Sequence, residues 1–397
     1  MSTGGDPAVG GVSGSDEKGV VLVVGTGLIG TSIALALSAD GYEVWLEDRD
    51  ETAARLAAAL GAGRPGRPAI DPIVVLTAVP PAATAPVIKD LQRLYLSSIF
   101  SDTASVKTYV ERQLETLGAD RGRFVGGHPL AGRERTGPGA ARADLFEGRP
   151  WVLTPSVGTR PDALEMVRTV VEACRAIPVV VASDLHDDAV ALVSHVPQIV
   201  ASLTAARLVD APQQALSLAG QGLLDMTRIA DSDALLWSDI VASNAGPVLS
   251  VLDALADDLD AVRSELRTLA MRPGPDPNAA GSRVGYRGTD RDVDTATSSS
   301  AATRDLIERG NVGRSRLPGK HGAARVEFVV VPVVVLDRPG ELARLLVASG
   351  AAGVNVEDVA IEHSPGQPAG LVELSVRPEV ASRLADALMA GGWSVHV

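Results

Sequence analysis

The chain has 397 residues, of which 46% are hydrophobic and 21% charged, so its length predicts two or three domains with apolar cores. Its formal net charge of -13 excludes nucleic acid and an anionic membrane as the main partner, because both require a basic surface. The single cysteine, Cys174, excludes an internal disulfide and a cysteine-based zinc site, and no metal site is predicted.

The N-terminal segment, residues 1–19, reads MSTGGDPAVGGVSGSDEKG and predicts a disordered tail. It lacks the apolar stretch of a secretory signal. No apolar run in the chain reaches the roughly 20 residues that a membrane-spanning helix needs. The sequence therefore predicts a cytoplasmic protein with no membrane partner.

Residues 20–182 alternate short β-branched runs with helical stretches rich in alanine and leucine. The runs VVLVVG, EVWLE and IVVLTAV predict strands, and the purely apolar ones are typical of a parallel sheet covered on both faces. Repeated strand–helix–strand units predict an α/β domain with a doubly wound, Rossmann-type sheet.

A glycine fingerprint, Gly25-x-Gly27-x-x-Gly30, joins the first predicted strand to the first helix. The first glycine permits a tight turn, the second lets a pyrophosphate approach the backbone, and the third lets helix and strand pack closely. Leu28 and Ile29 open the helix, whose free N–H groups and positive dipole end suit phosphates. The fingerprint predicts a dinucleotide site.

The cofactor type depends on the end of the second strand, EVWLEDRD. Asp48 is the first candidate for the ribose hydroxyls and Glu47 the second, and an acidic residue there favours NAD because it repels a 2′-phosphate. Arg49 can bind that phosphate, so NADP is the alternative. Val79 and Pro80 end another strand and are predicted to meet the cofactor from the opposite side.

The remaining chain predicts three further segments. Residues 183–271 are helical in pattern and are expected to form a substrate and dimerisation domain, and their surplus apolar surface predicts a homodimer. Residues 272–323 are rich in small and polar residues and predict a flexible linker, with a short helix at RDLIERG. Residues 324–397 have the order β-α-β-β-α-β of a ferredoxin-like domain.

Seven motifs within residues 20–255 together resemble the prephenate dehydrogenase family, which includes arogenate dehydrogenases. They are GTGLIGTSIALAL, LTAVPP, SDTASVK, HPLAGRERTG, ADLFEGRPWVLTP, HDDAVALVSHVPQ and LLDMTRIADSDALLWSDIVASN. The resemblance implies NAD-dependent oxidative decarboxylation of prephenate to 4-hydroxyphenylpyruvate in tyrosine biosynthesis, with arogenate as the alternative substrate. The C-terminal LDRPGELARLL and GVNVEDVAI resemble an ACT regulatory domain.

The resemblance implies that His128, in HPLAGRERTG, accepts the proton of the substrate's C4 hydroxyl. An imidazole with a pKa near 6.5 is largely neutral at working pH and can take that proton. Ser105 matches the family's serine that binds substrate and orients the histidine, although Ser105 or Thr103 can instead cap the next helix. Asp102 is predicted to support the site, and Lys107 to be a solvated helix charge.

The substrate's carboxylates need cations, and by resemblance Arg228 binds one of them. Ser194 is expected to point toward the substrate, and His195 to pack between helices. Gln198 is expected to hydrogen-bond the substrate's side chain, but many prephenate-specific members carry a second histidine there, which leaves prephenate and arogenate both open. Arg133 can supply a further cation.

For the ACT-like segment, Asp337, Gly340 and Asn355 are the candidates for binding an aromatic amino acid such as tyrosine, with turn and helix-start roles as the alternatives. Two other functions compete with the family's reaction. One is another NAD-dependent hydroxy-acid dehydrogenase, but HDDAVALVSHVPQ lacks the lysine or His–Glu pair of those enzymes. The other is a non-catalytic sensor of NAD and an amino acid, which would not need a proton acceptor.

Overall fold

The structure, a computed structural model, describes residues 18–131, 137–271, 300–317, 328–363 and 368–396. Almost all of the predicted N-terminal tail, Arg133 and much of the predicted linker lie outside these ranges. The chain divides into two compact units, residues 1–256 and 257–397. The division falls within one long helix, so the α/β and helical parts of the chain share the first unit.

An eight-stranded sheet with the order β3-β2-β1-β4-β5-β6-β7-β8 forms the centre of the first unit. Neighbouring strands are parallel, except for the antiparallel pair β6 and β7. This confirms the predicted doubly wound sheet. The strands are β1 (Val20–Val24), β2 (Glu43–Glu47), β3 (Arg64–Pro65), β4 (Val74–Thr77), β5 (Ile99–Asp102), β6 (Phe124–Pro129), β7 (Pro150–Thr154) and β8 (Ile177–Val180).

Both faces of the sheet are covered, which explains the uninterrupted apolar run of β1. Val21 and Val23 belong to one buried cluster, whereas Leu22 and Val24 belong to another on the opposite face. Alternate side chains of a strand point to opposite faces, so a strand buried on both has no polar position. The helices of this part are α1 (Leu28–Ala39), α2 (Glu51–Ala59), α3 (Pro81–Leu94), α4 (Thr108–Thr116) and α5 (Pro161–Ala173).

The strand order reverses at β1, which pairs with β2 on one side and β4 on the other. Such a reversal opens a crevice beyond the carboxyl ends of the strands, where α/β sheets bind ligands. The fingerprint follows β1, and His128 lies near the end of β6, so the predicted site residues of this domain lie along one edge of the sheet.

Residues 183–270 are helical, as predicted. The helices are α6 (Ser183–Val190), α7 (Val196–Ala206), α8 (Gln213–Leu216), α9 (Gln221–Thr227), α10 (Ala234–Ser243) and α11 (Ala245–Ala270). Residues Ala191–His195 form a π-helical segment that joins α6 to α7. Single π turns within α-helices are frequent at functional sites.

The continuous helix Ser183–Ala206 has the length and mean hydropathy of a membrane span, contrary to the prediction that no such run exists. Helices α10 and α11 meet the same criterion only as a pair bent by 94°. A core helix that carries few charges also meets it, and here His186, Asp187 and His195 are buried. The absence of a membrane partner and the cytoplasmic location stay predictions.

The second unit contains a four-stranded antiparallel sheet with the order β10-β11-β9-β12. Its elements follow in the chain as β9 (Val329–Leu336), α13 (Glu341–Ala351), β10 (Asp358–His363), β11 (Ala369–Val376), α14 (Pro378–Ala390) and β12 (Ser394–Val395). This confirms the predicted ferredoxin-like order. Val333, Leu345, Leu374 and Leu384 are fully buried in its core.

A 15-residue helix, α12 (Ala301–Ser315), occupies part of the predicted flexible linker. The carboxylate of Glu265, on α11, accepts hydrogen bonds from the backbone N–H groups of Ala302 and Thr303. Arg309 forms an ion pair with Asp258 on the same helix. The short helix predicted at RDLIERG is therefore present and is longer than predicted, because a cap and an ion pair from α11 stabilise residues 301–315.

Candidate functional site

Glycine is required at two fingerprint positions by the backbone geometry. Gly25 has a φ of +97° and donates its N–H to the carbonyl of Glu47 at 2.7 Å. A Cβ atom at Gly30 would lie 1.9 Å from the carbonyl oxygen of Gly25. In contrast, no atom lies within 4 Å of a Cβ position at Gly27, so the backbone before α1 is open to a ligand.

A crevice of about 760 Å³ lies at the carboxyl ends of β1, β2 and β4. Six of the nine predicted cofactor residues line it: Gly25, Gly27, Asp48, Arg49, Val79 and Pro80. The side chains of Leu28 and Ile29 instead pack against the apolar core. These two residues can therefore offer only backbone groups to a ligand, in keeping with the predicted role of the helix N-terminus.

Asp48 is held in place by the turn after β1. Its Oδ2 atom accepts hydrogen bonds from the N–H of Thr26 at 2.6 Å and from the Thr26 hydroxyl at 2.9 Å. Glu47, the second candidate, forms a two-contact ion pair with Arg67, which also lines the crevice. Arg67 is a residue that the sequence reasoning missed, because its pairing depends on β3 lying beside β2.

His128 makes a side-chain hydrogen bond to a second histidine. Its Nδ1 atom lies 2.8 Å from Nε2 of His186, and the two rings meet edge to face at 80°. The Nδ1 atom of His186 lies 2.8 Å from Oδ1 of Asp187. Desolvation lowers the pKa of His128 well below its usual value, and the neighbouring His186 and Lys107 lower it further. The three side chains form a His–His–Asp chain.

Asp187 connects the helical part to the sheet domain. Its two carboxylate oxygens accept hydrogen bonds from the backbone N–H groups of Lys107 and Thr108, both at 2.8 Å, at the start of α4. Burial raises the pKa of Asp187, but the hydrogen bonds from His186 and from these N–H groups outweigh it and hold the pKa below its usual value. Asp187 is therefore an anion that caps α4.

This contact corrects two predictions about the loop before α4. The helix begins at Thr108, so neither Ser105 nor Thr103 caps it, and Asp187 supplies the acceptor instead. Ser105 is half-buried, and among the described residues its hydroxyl has no hydrogen-bond partner. His186, not Ser105, orients His128 in this structure. A role for Ser105 in binding substrate stays a prediction.

Lys107 is buried, which contradicts its prediction as a solvated charge. Its Nζ atom lies 2.6 Å from Oδ2 of Asp102 and also donates to the carbonyl of Gly127. Burial lowers the pKa of Lys107, although Asp102 opposes the shift. The reason for the wrong prediction is that β6 and α6 cover the side chain, and both are distant in sequence.

A cavity of about 480 Å³ lies beside His128 and is mostly apolar. Ser194 lines it together with His128 and His186. Gln198 lines a different cavity, and its Nε2 atom donates to the Ser232 hydroxyl at 2.7 Å. The structure thus brings Ser194, but not Gln198, to the cavity of the candidate proton acceptor.

His195 is buried, and its Nδ1 atom lies 3.1 Å from Nδ2 of Asn244, which also donates to the carbonyl of Asp187. Burial lowers the pKa of His195 to about 4. Arg228 is in the short 3₁₀ turn Arg228–Ala230 and lines neither of the two cavities. The convergence of Arg228 with His128 stays a prediction.

The candidate effector residues are exposed in the ferredoxin-like domain. Asp337 donates its N–H to the carbonyl of Pro368 at 2.9 Å, and Gly340 has a φ of +90° at the start of α13. The Nδ2 atom of Asn355 donates to Glu357 at 2.8 Å. These local contacts are typical of turns, and a ligand role for the three residues stays a prediction.

Comparison with known proteins gives matches along most of the chain. Residues 33–180 match the prephenate dehydrogenase nucleotide-binding domain, and residues 182–272 match the prephenate dehydrogenase dimerization domain. A probable prephenate dehydrogenase, NovF of Streptomyces niveus, is 38% identical over 377 residues, which cover 94% of this chain and 99% of that protein. A prephenate dehydrogenase of Bacillus subtilis is 30% identical over 263 residues, which cover 62% of this chain and 70% of that protein.

Two solved structures share the fold of the first unit. Prephenate dehydrogenase from Aquifex aeolicus, in complex with hydroxyphenyl propionate and NAD+, has a TM-score of 0.58 and 28% identity, covering 65% of this chain and 93% of that one. Synechocystis arogenate dehydrogenase has a TM-score of 0.55 and 26% identity, and the match covers 64% of this chain and 93% of that one.

Proposed function

Since the chain belongs to the prephenate dehydrogenase family, we propose that it converts prephenate to 4-hydroxyphenylpyruvate by oxidative decarboxylation. It is an NAD-dependent oxidoreductase. The observation that carries the choice of reaction is the placement of a paired histidine, His128, on the same sheet edge as the glycine fingerprint.

The residues of the crevice fit NAD. The backbone at Gly27 is open to a pyrophosphate, and α1 presents its N-terminus beside it. Oδ2 of Asp48 accepts two hydrogen bonds from Thr26 and Oδ1 accepts the N–H of Asp50, which leaves a lone pair on Oδ1 for a ribose hydroxyl. When bound, the nicotinamide accepts a hydride. NAD is therefore the cofactor. Because Arg49 can bind a 2′-phosphate, activity with NADP is measured as well.

In the proposed mechanism, Nε2 of His128 accepts the proton of the C4 hydroxyl while the hydride leaves C4. The ring carboxylate departs as carbon dioxide, and the electron pair of the broken C–C bond completes the aromatic ring. The lowered pKa keeps the imidazole neutral at pH 7 and able to accept. Ser194 and Ser105 bind the substrate in this proposal, and Arg228 or Arg133 binds its carboxylates.

A homodimer is part of the proposal. Residues 182–272 match a dimerization domain, and the helices there expose large apolar side chains. Leu192, Val193, Leu203 and Leu259 are each more than half exposed in the single chain. A second copy of the chain would bury such surface, and sedimentation equilibrium measures the resulting mass.

We also propose that an aromatic amino acid regulates the enzyme through its ferredoxin-like domain. The support is the βαββαβ order and the exposure of Asp337 and Gly340 before α13 and of Asn355 after it. Titration calorimetry of the full chain with tyrosine, phenylalanine and tryptophan tests this. Binding that Asp337→Ala weakens is the expected result, and no heat with any of the three contradicts the proposal.

A steady-state assay tests the reaction itself, with prephenate and arogenate each combined with NAD and NADP. We expect the highest kcat/KM with prephenate and NAD. A higher kcat/KM with arogenate would assign that substrate instead, and no turnover with either would contradict the proposed function.

A further inference from the structure

We propose that His186 and Asp187 fix the tautomer of His128, so that Nδ1 of His128 carries its hydrogen and Nε2 is the open proton acceptor. His186 and Asp187 are then positioning residues, since they act on the substrate only through His128. The inference rests on the proposed function, because it explains how His128 becomes the acceptor.

The direction of the hydrogen-bond chain is set at the Asp187 end. Both oxygens of Asp187 receive backbone N–H groups, from Lys107 and Thr108, and a backbone N–H can only donate. The carboxylate is ionised and has no hydrogen of its own to give. The hydrogen in the 2.8 Å contact with His186 therefore belongs to Nδ1 of His186.

The same reasoning carries along the chain to His128. The proposal includes a neutral His186, and since a neutral imidazole has one N–H, Nε2 of His186 is an acceptor once its Nδ1 is the donor. The hydrogen in the 2.8 Å contact between the rings must then belong to Nδ1 of His128. That leaves Nε2 of His128 with a free lone pair. The opposite tautomer would put a hydrogen on this atom and block proton transfer.

The arrangement also stabilises the product of proton transfer. When the O–H bond of the substrate breaks, its proton bonds to Nε2 of His128 and the hydride goes to NAD. The imidazolium keeps its Nδ1–H directed at His186, whose own Nδ1–H faces the carboxylate. His186 and Asp187 are 3% and 2% exposed, and hydrogen bonds in such a low-dielectric interior are electrostatically strong. No proton has to move beyond His128.

Two substitutions at His186 separate a tautomer effect from a packing effect. In His186→Gln the amide oxygen can still accept the Nδ1–H of His128, whereas in His186→Leu no acceptor remains. We expect His186→Leu to lower kcat roughly 10²-fold, comparable to losing a contribution from acid–base catalysis. We expect His186→Gln to retain kcat within about tenfold of wild type. Equal kcat values in the two variants would overturn the proposal, whether both are normal or both are low.

Two measurements accompany the kinetics. The KM for NAD is expected to be the same in both variants, because the NAD crevice does not include His186. Long-range ¹H–¹⁵N spectra of ¹⁵N-histidine-labelled full-length protein report the tautomer directly, with the His128 signals assigned by their loss in His128→Asn. We expect an Nδ1–H tautomer in wild type and His186→Gln, and a mixture in His186→Leu.

The tautomer measurement keeps the inference separate from the proposed function. An Nε2–H tautomer in the wild type would overturn the inference even if the enzyme turns over prephenate. If neither prephenate nor arogenate is a substrate, the proposed function fails, while the spectra still establish whether His186 sets the tautomer of His128.

Discussion

The ammonium of Lys107 lies 2.6 Å from the carboxylate of Asp102, and both side chains are buried, at 1% and 0% exposure. Asp102 also accepts the N–H of Gly127 at 2.9 Å, and Lys107 donates to the carbonyl of the same residue. The pair therefore holds β5 and the loop before α4 against β6, one residue before His128. The Lys107–Asp102 pair therefore fixes the backbone next to His128, the candidate proton acceptor.

We expect Lys107→Met to reduce the free energy of unfolding by about 3–5 kcal/mol, because it leaves the charge of Asp102 buried without a partner. Urea unfolding of the full chain measures the loss. Lys18→Met is the matched control, since Lys18 and Asp40 form a contact of 2.7 Å at the surface, with exposures of 47% and 36%. That change should cost much less, because solvent screens an exposed ion pair. Equal losses in the two variants would contradict the structural role of the buried pair.

The sequence predicts the sheet domain, the fingerprint and the ferredoxin-like order because these depend on local patterns. Apolar runs, glycine spacing and helix periodicity are properties of neighbouring residues. The burial of Lys107 depends on β6 and α6, and the contact of His128 with His186 joins positions 58 residues apart. Such contacts depend on how the chain folds back, although the adjacent His186 and Asp187 at the start of the motif HDDAVALVSHVPQ were a signal to which no catalytic role was assigned.

We expect His195 to make the protein less stable in acid. Its Nδ1 atom accepts the Asn244 amide, and burial lowers its pKa from 6.5 to about 4. The folded state therefore resists protonation, while the unfolded chain takes up a proton as the pH falls below 6.5. The free energy of unfolding should drop by about 3 kcal/mol between pH 6.5 and 4 from this residue alone.

His195→Asn provides the comparison for this prediction, because its amide oxygen can still accept from Asn244 but does not titrate. Urea unfolding of both proteins at a series of pH values gives the two slopes, and the other acidic and basic groups contribute equally to each. A variant whose stability falls as steeply as that of the wild type would show that His195 is not the group responsible.

We expect His128→Asn to lower kcat by about 10²–10⁴-fold with little change in the affinity for NAD, since a general base is lost but the crevice is intact. Fluorescence titration with NAD is the control for folding and cofactor binding. Turnover close to wild type would remove His128 from the proposed role.

The pH profile of the wild type gives a separate check on His128. Burial lowers the pKa of the His128 imidazole. The neighbouring His186, Lys107 and His195 lower this pKa further, whereas Asp187 raises it. The base must be neutral to act, so kcat/KM should stay high as the pH falls and decline only below pH 6.5. A decline that is already half complete above this value would contradict the lowered pKa.

We expect Arg228→Ala to raise the KM for prephenate more than it lowers kcat, because a guanidinium binds a carboxylate through two hydrogen bonds in the ground state and the transition state alike. Arg207→Ala, at the exposed end of α7, is the control for removing a surface charge. An unchanged KM in Arg228→Ala would mean that another cation, with Arg133 the first candidate, holds the carboxylate.

Substitutions at two fingerprint glycines should separate folding from cofactor binding. In Gly30→Ala the new Cβ would lie 1.9 Å from the carbonyl oxygen of Gly25, so α1 must move away from β1, at a cost of about 1–3 kcal/mol.

In Gly27→Ala no atom lies within 4 Å of the new Cβ, so the free energy of unfolding should change little. The methyl group would instead occupy the space that the pyrophosphate needs, and the Kd for NAD should rise. Urea unfolding and fluorescence titration measure the two effects, and a Gly27→Ala protein that binds NAD like the wild type would show that the pyrophosphate does not cross this backbone.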